Sequence, residues 1–321
     1  MWSLKKTFLP KRLYWLLKTG NNLKRLLFYV FCVASTIEGL HGQEAYFNFS
    51  IDNDFFFVKD RYYSSGMFLQ YGKEIKKASN DSLRRFEQWE LGQEIYTPSI
   101  RFSEEIADYD YPYGGWLYLK YSRQKELTPN KQFEVGLQLG VTGEWSLARY
   151  FQNTYHREVL GLRENAWVDQ VPEAVHINLF AGYFYQKELI EQVQFQSHFY
   201  GRLGTQRTDI GARLGLNLGL ASVLGLAANS RYFTTSGQGF YVGLDTSYIA
   251  HDYMITGSLF NNDVPFSAEV IPFRLVVESG FALQGSKWKL LFLYKNRSPD
   301  NRLQPKKSHH LMTLFLSLFF D

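Results

Sequence analysis

Apolar residues alternate with polar residues or glycine along most of the chain that follows residue 43. In the segment 133–141, every odd-numbered position is apolar and the even-numbered positions are Glu, Gly, Gln and Gly. The segment 213–220 repeats this pattern, with leucine at each even-numbered position. Because successive side chains of a strand point to opposite faces, both segments predict β-strands with one continuous apolar face.

Such segments recur along the chain, and most are close to the ~10-residue length with which a tilted strand crosses a bilayer. They lie near 45–52, 64–75, 84–96, 114–126, 131–145, 174–188, 191–204, 208–221, 238–250, 273–284, 286–295 and 308–320. A closed sheet pairs every backbone group within lipid, and an even strand number suits antiparallel closure. We therefore predict an all-β fold, a transmembrane antiparallel β-barrel of about twelve strands, in a single domain at 43–321.

A soluble β-sandwich also has alternating strands and is the alternative fold. Two features of the composition favour the membrane barrel. Aromatic residues reach 17%, with 27 Phe and 22 Tyr, as expected for a barrel with aromatic residues at both membrane interfaces. The last predicted strand is strongly apolar and ends in aromatic residues before Asp321.

Residues 1–42 carry the pattern of a secretory signal peptide, which is a third argument for the membrane barrel. Basic residues precede a short apolar run at 26–34, and Glu38 is the only acidic residue. A membrane anchor is the alternative, but a spanning helix requires about 20 apolar residues. We predict cleavage between residues 35 and 43 and export to the outer membrane of a Gram-negative cell.

Loss of residues 1–42 would change the bulk properties of the chain. They hold seven of the 35 basic residues and one of the 31 acidic residues, so the formal charge would change from +4 to −2. The excess of basic over acidic residues thus comes from the predicted signal peptide, and we expect no nucleic-acid partner. Cys32, the only cysteine, also lies in this segment, so neither disulfides nor a cysteine nucleophile are expected.

Two of the interruptions between predicted strands hold residue types suited to catalysis. Asn53 and Asp54 end the first predicted strand and Ser64 opens the second, so one rim of a barrel would hold all three. A short loop helix is predicted near 146–162, on which Gln152 and His156 share one face because they are four residues apart. Taken alone, these residues also fit ordinary turn chemistry and a polar loop helix.

Four loop segments, in this order, resemble the outer-membrane lipid A 3′-O-deacylase family. They read DNDFFFVKDRYYSSG at 52–66, GQEIYTPS at 92–99, DYPYGGW at 110–116 and QNTYHREVLGLRENAWVDQ at 152–170. Beyond residue 170 the resemblance extends only to barrel character. It implies a twelve-stranded outer-membrane barrel whose calcium-dependent esterase site removes ester-linked acyl chains from the 3′ position of lipid A.

The resemblance also implies roles for five residues. The family's Asn-Asp pair, its hydroxyl residue, its glutamine and its histidine fall on Asn53, Asp54, Ser64, Gln152 and His156. Some members carry a functional glutamate six residues after the histidine. Leu162 occupies that position here, so this chain departs from the family pattern at one metal or orienting contact.

Ester hydrolysis requires a base that activates water and positive charge near the developing oxyanion. His156 suits the first role, with Gln152 as its orienting or oxyanion-side neighbour. A Ca²⁺ ion held by oxygen ligands from Asp54 and Asn53 suits the second. Direct attack by Ser64, activated by His156, is the competing mechanism.

Lipid A carries phosphates, and four basic residues of the same loops are candidates to bind them. They are Lys59, Arg61, Arg101 and Arg157. Any one of these can equally be a solvated loop charge. A porin-like barrel without chemistry and a barrel phospholipase remain the alternative functions. We expect a monomer.

Overall fold

The computed structural model of the protein describes residues 44–54, 60–75, 83–229, 232–260 and 264–320. The predicted signal peptide at 1–42 and its cleavage between residues 35 and 43 lie outside the described residues. Both therefore remain predictions.

Twelve strands form one closed antiparallel barrel in the described chain. They are β1 Ala45–Asn53, β2 Tyr62–Glu74, β3 Arg85–Thr97, β4 Gly114–Thr128, β5 Lys131–Thr142, β6 Val175–Ile190, β7 Val193–Gly204, β8 Arg207–Gly219, β9 Gly237–Asp252, β10 Phe273–Gln284, β11 Trp288–Arg297 and β12 His309–Phe320. Each strand pairs with its neighbours in chain order, and β1 pairs with β12 to close the ring. The predicted barrel is confirmed, with only small shifts at the strand ends.

The two faces of the sheet differ in polarity as the alternation predicts. On β5, Phe133, Val135 and Leu139 are exposed on the outside, whereas Gln132 and Glu134 are buried in the interior. In a bilayer, this outer face contacts lipid and the interior polar groups pair with one another.

Short helices lie in the connections between strands. They are 3₁₀ helices at Ile106–Asp108 and Gly143–Ser146, α1 at Ala148–Thr154, a π-helix at Tyr155–Leu160 and α2 at Tyr253–Thr256. The predicted loop helix near 146–162 is confirmed, although its second half is π-helical. Within the described ranges, no helix is long and apolar enough to cross a membrane.

Five of the six connections at one end of the barrel are long, and we call this end the loop end. The long connections span 54–61, 98–113, 143–174, 253–272 and 298–308. At the opposite end, β4–β5, β6–β7 and β10–β11 are joined by turns of two or three residues. Longer loops of outer-membrane barrels face the cell exterior, so the loop end faces outward.

The segment 220–236 connects β8 to β9, and its described residues, 220–229 and 232–236, fold into the barrel at the end opposite the loop end. The backbone N–H of Leu226 donates to Gln132 of β5, and the carbonyl of Tyr232 accepts from Gln284 of β10. Its apolar side chains join two buried clusters with residues of several strands. Because β5 and β10 lie on nearly opposite sides of the ring, the described residues of this connection contact both sides of the lumen.

Gly115 allows the connection between β5 and β6 to approach β4 closely. A Cβ atom at Gly115 would lie 2.2 Å from Ser146 Oγ and 2.3 Å from Ala148 Cβ. Any side chain would therefore push the start of α1 away from the barrel wall.

We expect Gly115→Ala to displace α1 without unfolding the barrel, because the clash lies outside the strand ladder. The variant should keep the mobility shift on heating that marks a folded barrel, while 143–160 becomes more sensitive to limited proteolysis. Gly201→Ala is the matched control, since its Cβ would meet nothing closer than 3.7 Å. Unchanged protection of 143–160 in Gly115→Ala would show that this contact does not hold the helix.

Candidate active site

The carboxylate of Asp60, in the connection between β1 and β2, is the centre of the site. Four side chains contact it: Arg101 at 2.8 Å, Gln152 at 3.0 Å, His156 at 3.0 Å and Asn165 at 3.3 Å. Burial alone would raise the pKa of Asp60. The hydrogen bond and charge of His156, together with Arg101, outweigh burial and lower this pKa below its ordinary value. Asp60 is therefore an ionised acceptor surrounded by donors.

Gln152 and His156 reach Asp60 from the same helical segment, as their four-residue spacing predicts. Gln152 lies in α1 and His156 is the second residue of the π-helix, and both side chains are buried. Single π-helical turns occur often at functional sites. Here the turn leaves both polar side chains on the inward face.

Trp167 fixes the orientation of the Gln152 amide. Its indole Nε1–H donates to Gln152 Oε1 at 2.9 Å. An indole nitrogen can only donate, so the amide oxygen faces Trp167 and the amide nitrogen faces Asp60. Trp167 is itself buried and stacks on Tyr113 with 5.0 Å between the ring centroids.

The two ring nitrogens of His156 have different surroundings. Nε2 lies 3.0 Å from Asp60 Oδ2, whereas Nδ1 is buried and has no hydrogen-bond partner among the described residues. Because an ionised carboxylate can only accept, Nε2 must carry the proton. The neutral imidazole then presents a lone pair on Nδ1, which is the form required of a general base.

Asp54 forms a second polar centre beside the first. Its Oδ2 accepts from the backbone N–H of Arg61 at 3.0 Å and lies 3.2 Å from Nε2 of His309. Burial, followed by the negative charge of Asp60, raises the pKa of Asp54 to about 8. Two carboxylates thus repel each other here, and a bound cation would relieve that repulsion.

The other two predicted residues of the segment 52–66 flank Asp54, one in sequence and one through the backbone. Asn53 ends β1, and the backbone N–H of Asp54 donates to the carbonyl of Ser64. The Ser64 hydroxyl is buried and donates to the carbonyl of Ile95 on β3 at 3.3 Å. No hydrogen bond joins the described side chains of Ser64 and His156.

The predicted phosphate-binding residues are placed differently from one another. Lys59 lies outside the described residues. Arg101 forms an ion pair with Asp60. Arg157 forms ion pairs with Glu158 and Glu164 on the exposed side of the loop. Arg61 lies over the ring of Tyr62, and its Nε has no hydrogen-bond partner in the described chain.

The carboxylate and amide oxygen atoms of this region are the types of ligand that calcium binds. Asp60 already accepts from four side chains, so Asp54 is the carboxylate available to a cation. Calcium takes six to eight oxygen ligands, including amide, backbone and water oxygens. No group of three His, Cys, Asp or Glu residues arranged to hold a metal occurs among the described residues. A calcium site here would therefore need ligands beyond the carboxylates.

Backbone strain is concentrated in the loops that build the site. Five described residues other than glycine have positive φ angles, and four of them belong to this end of the barrel: Tyr62, Leu147, Trp167 and Asp169. Such conformations cost about 1–3 kcal/mol each and persist where the surroundings enforce them. Leu147 adopts one of them immediately before α1.

Sequence reasoning missed Asp60, Asn165 and His309 as parts of the site. Asp60 and Asn165 lie within the segments that carry the family resemblance, but no spacing rule connects residues 105 positions apart. His309 opens β12, where alternation gives no sign that it meets Asp54 across the β1–β12 seam.

The fold and the site define an outer-membrane barrel with a buried histidine–carboxylate centre among its outward loops. A family model described as outer membrane protein LpxR matches residues 25–320. The chain therefore belongs to the LpxR family, the lipid A 3′-O-deacylase family that its loop segments resemble. Membership places the protein in the outer membrane, as the sequence predicted.

A solved structure described as LpxR shows the same architecture. LpxR from Salmonella typhimurium superimposes with a TM-score of 0.67 at 18% sequence identity, covering 87% of this chain and 100% of that one. The translocator domain of the autotransporter NalP from Neisseria meningitidis gives a TM-score of 0.45 at 10% identity, covering 94% and 98%. No curated protein matches this chain in sequence.

We expect ¹⁵N NMR of labelled protein in detergent at alkaline pH to show neutral His156 protonated on Nε2. Asp60→Asn should change the tautomer population of this ring, because the amide can donate to Nε2 as well as accept from it. The neutral carboxamide is close in size to the carboxylate, so the barrel should keep its mobility shift on heating. A His156 protonated on Nδ1 in the wild type would contradict the assignment.

Proposed function

We propose that this protein is an outer-membrane esterase that hydrolyses the ester-linked 3′ acyl chains of lipid A. The observation that carries the proposal is the buried His156, whose Nε2 is held by Asp60 while Nδ1 is free to accept a proton. This arrangement lies at the outward end of the barrel, where lipid A of the outer leaflet is within reach. Family membership supports the same substrate class.

In the proposed mechanism, a water molecule attacks the carbonyl carbon of the ester and His156 Nδ1 takes its proton. The negative charge of Asp60 stabilises the imidazolium that forms, and Gln152 and Asn165 hold the carboxylate in place. The tetrahedral intermediate then collapses, and the imidazolium returns the proton to the departing sugar oxygen. The products are a free fatty acid and a sugar hydroxyl group.

The position of Ser64 supports water as the nucleophile. Its hydroxyl is engaged with the carbonyl of Ile95, while His156 is engaged with Asp60. A serine nucleophile requires a hydrogen bond to its base. In our proposal, Ser64 therefore helps to position water or substrate.

Calcium belongs to this proposal as the source of positive charge near the developing oxyanion. Asp54 and Asn53 would hold it, with further oxygen ligands from backbone, water or substrate. The raised pKa of Asp54 supports a cation there, since the carboxylate lies near a second negative charge.

Arg61 is the strongest candidate of the four predicted cations for binding a lipid A phosphate. Its guanidinium group retains an unpartnered Nε, whereas Arg101 and Arg157 are committed to carboxylates of the protein. The residues of the β8–β9 connection that contact both sides of the lumen disfavour the porin-like alternative.

The function is tested by mass spectrometry of lipid A from Gram-negative cells that have no 3′-deacylase of their own. Wild-type protein should produce lipid A that lacks its 3′ acyl chains, and His156→Ala should lower the rate by about 100-fold or more, the usual contribution of a general base. Phospholipids from the same cells separate the alternatives. Loss of their acyl chains with intact lipid A would identify a phospholipase, and no change in either lipid would remove the esterase proposal.

The nucleophile is tested by comparing His156→Ala with Ser64→Ala. Ser64→Ala should keep a measurable rate, because losing one positioning contact costs less than losing the base. Gln152→Ala should fall between them. A Ser64→Ala variant as inactive as His156→Ala, together with a trapped acyl-enzyme in the wild type, would make serine the nucleophile.

Calcium binding should weaken as the pH falls below about 8, because a proton then competes with the cation for Asp54. One displaced proton predicts about a tenfold higher half-saturating calcium concentration for each pH unit below that value. Titration calorimetry measures this without relying on turnover. Asp54→Asn is the control and should bind calcium weakly at every pH, and wild-type binding that does not depend on pH would contradict the ligand assignment.

A further inference from the structure

The helical segment that carries Gln152 and His156 has an unusual distribution of polar residues. Its inward positions, spaced four apart, are Ala148, Gln152 and His156, all buried. Its exposed positions include Tyr150, at 66% exposure, and Phe151, at 46%. A surface helix in water normally shows the reverse, with apolar residues inside and polar residues outside.

The exposed apolar residues are gathered on one flank. Phe151 and Tyr155 lie four residues apart and therefore on the same side, and the ring of Tyr150 contacts Phe151 with 5.9 Å between centroids. Arg149 and Asn153, also four apart, occupy a different side. We call the apolar side the aromatic flank and define it as Trp145, Leu147, Tyr150, Phe151 and Tyr155.

The aromatic flank continues the lipid-facing wall of the barrel. On β5 and β6, Leu139 pairs with Ile177 and Val141 with Val175, and three of these four side chains are exposed. The chain leaves β5 at Thr142 and reaches Trp145, which is 57% exposed, within three residues. One apolar surface thus runs from mid-barrel to the loop helix.

We propose that the aromatic flank lies in the outer leaflet, at the boundary between hydrocarbon and headgroups, with Arg149 on the side toward water. Apolar patches of this kind are unfavourable in water, whereas aromatic residues on one side of an amphipathic helix are suited to this boundary. The continuity with the wall favours lipid as the occupant over a protein partner or a second copy of the chain. The inference concerns where the helix sits and holds independently of the reaction at His156.

The chain is well suited to a spin-label test, because Cys32 is its only cysteine. In a Cys32→Ser background, the full chain is reconstituted into lipid nanodiscs with a nitroxide at Tyr150→Cys or at Arg149→Cys. Both positions are exposed, and successive residues of a helix point about 100° apart. A high collision rate of the nitroxide with oxygen shows that the label lies in hydrocarbon. A high collision rate with a polar nickel chelate shows that it lies in water.

We expect the Tyr150→Cys label to collide preferentially with oxygen, as a label at Leu119→Cys on the barrel wall does. The Arg149→Cys label should collide preferentially with the nickel chelate, as does one at Glu104→Cys in an exposed loop. Equal nickel accessibility at 149 and 150 would overturn the proposal. A label at position 150 that collides with neither reagent would also overturn the proposal, because protein would then cover the aromatic flank.

Discussion

The ionised carboxylate of Asp60 joins three of the connections at the loop end. It comes from the β1–β2 connection and accepts from the β3–β4 connection through Arg101 and from the β5–β6 connection through Gln152, His156 and Asn165. A largely buried charge is tolerated when it is well hydrogen-bonded, and four donors meet that requirement here. Because these donors come from two other loops, hydrogen bonds to a single carboxylate connect three loops. Their relative positions therefore depend on electrostatics as well as on packing.

Each part of the β5–β6 connection serves that arrangement. Gly115 lets the connection approach the wall, the strained Leu147 turns the chain into α1, and the π-helix presents His156 beside Gln152. Trp167 then fixes the amide that contacts Asp60. In the resulting site, Asp60 holds Nε2 of the histidine, and Nδ1 is buried without a hydrogen-bond partner among the described residues, as the proposed base requires.

The barrel could be read from the sequence because period-two alternation is a local property, repeated in every strand. The pairing of Gln152 with His156 was equally accessible, since four residues is one helical turn. Asp60 and His309 were not, because their partners lie 92 and 255 positions away and only the closed ring brings them together. Leu162 stands where some family members have a glutamate. The sequence did not show that Asp60, from another loop, contacts His156.

The segment 220–236 affects the aqueous compartment with which the site exchanges water and protons. Its described residues lie inside the barrel on the periplasmic side, whereas Asp60 and His156 lie among the connections at the loop end. In the proposed reaction, water would enter from the medium, and the proton of the released fatty acid would return to it. The proposed chemistry would then depend on the acidity and ion content outside the cell rather than on those of the periplasm.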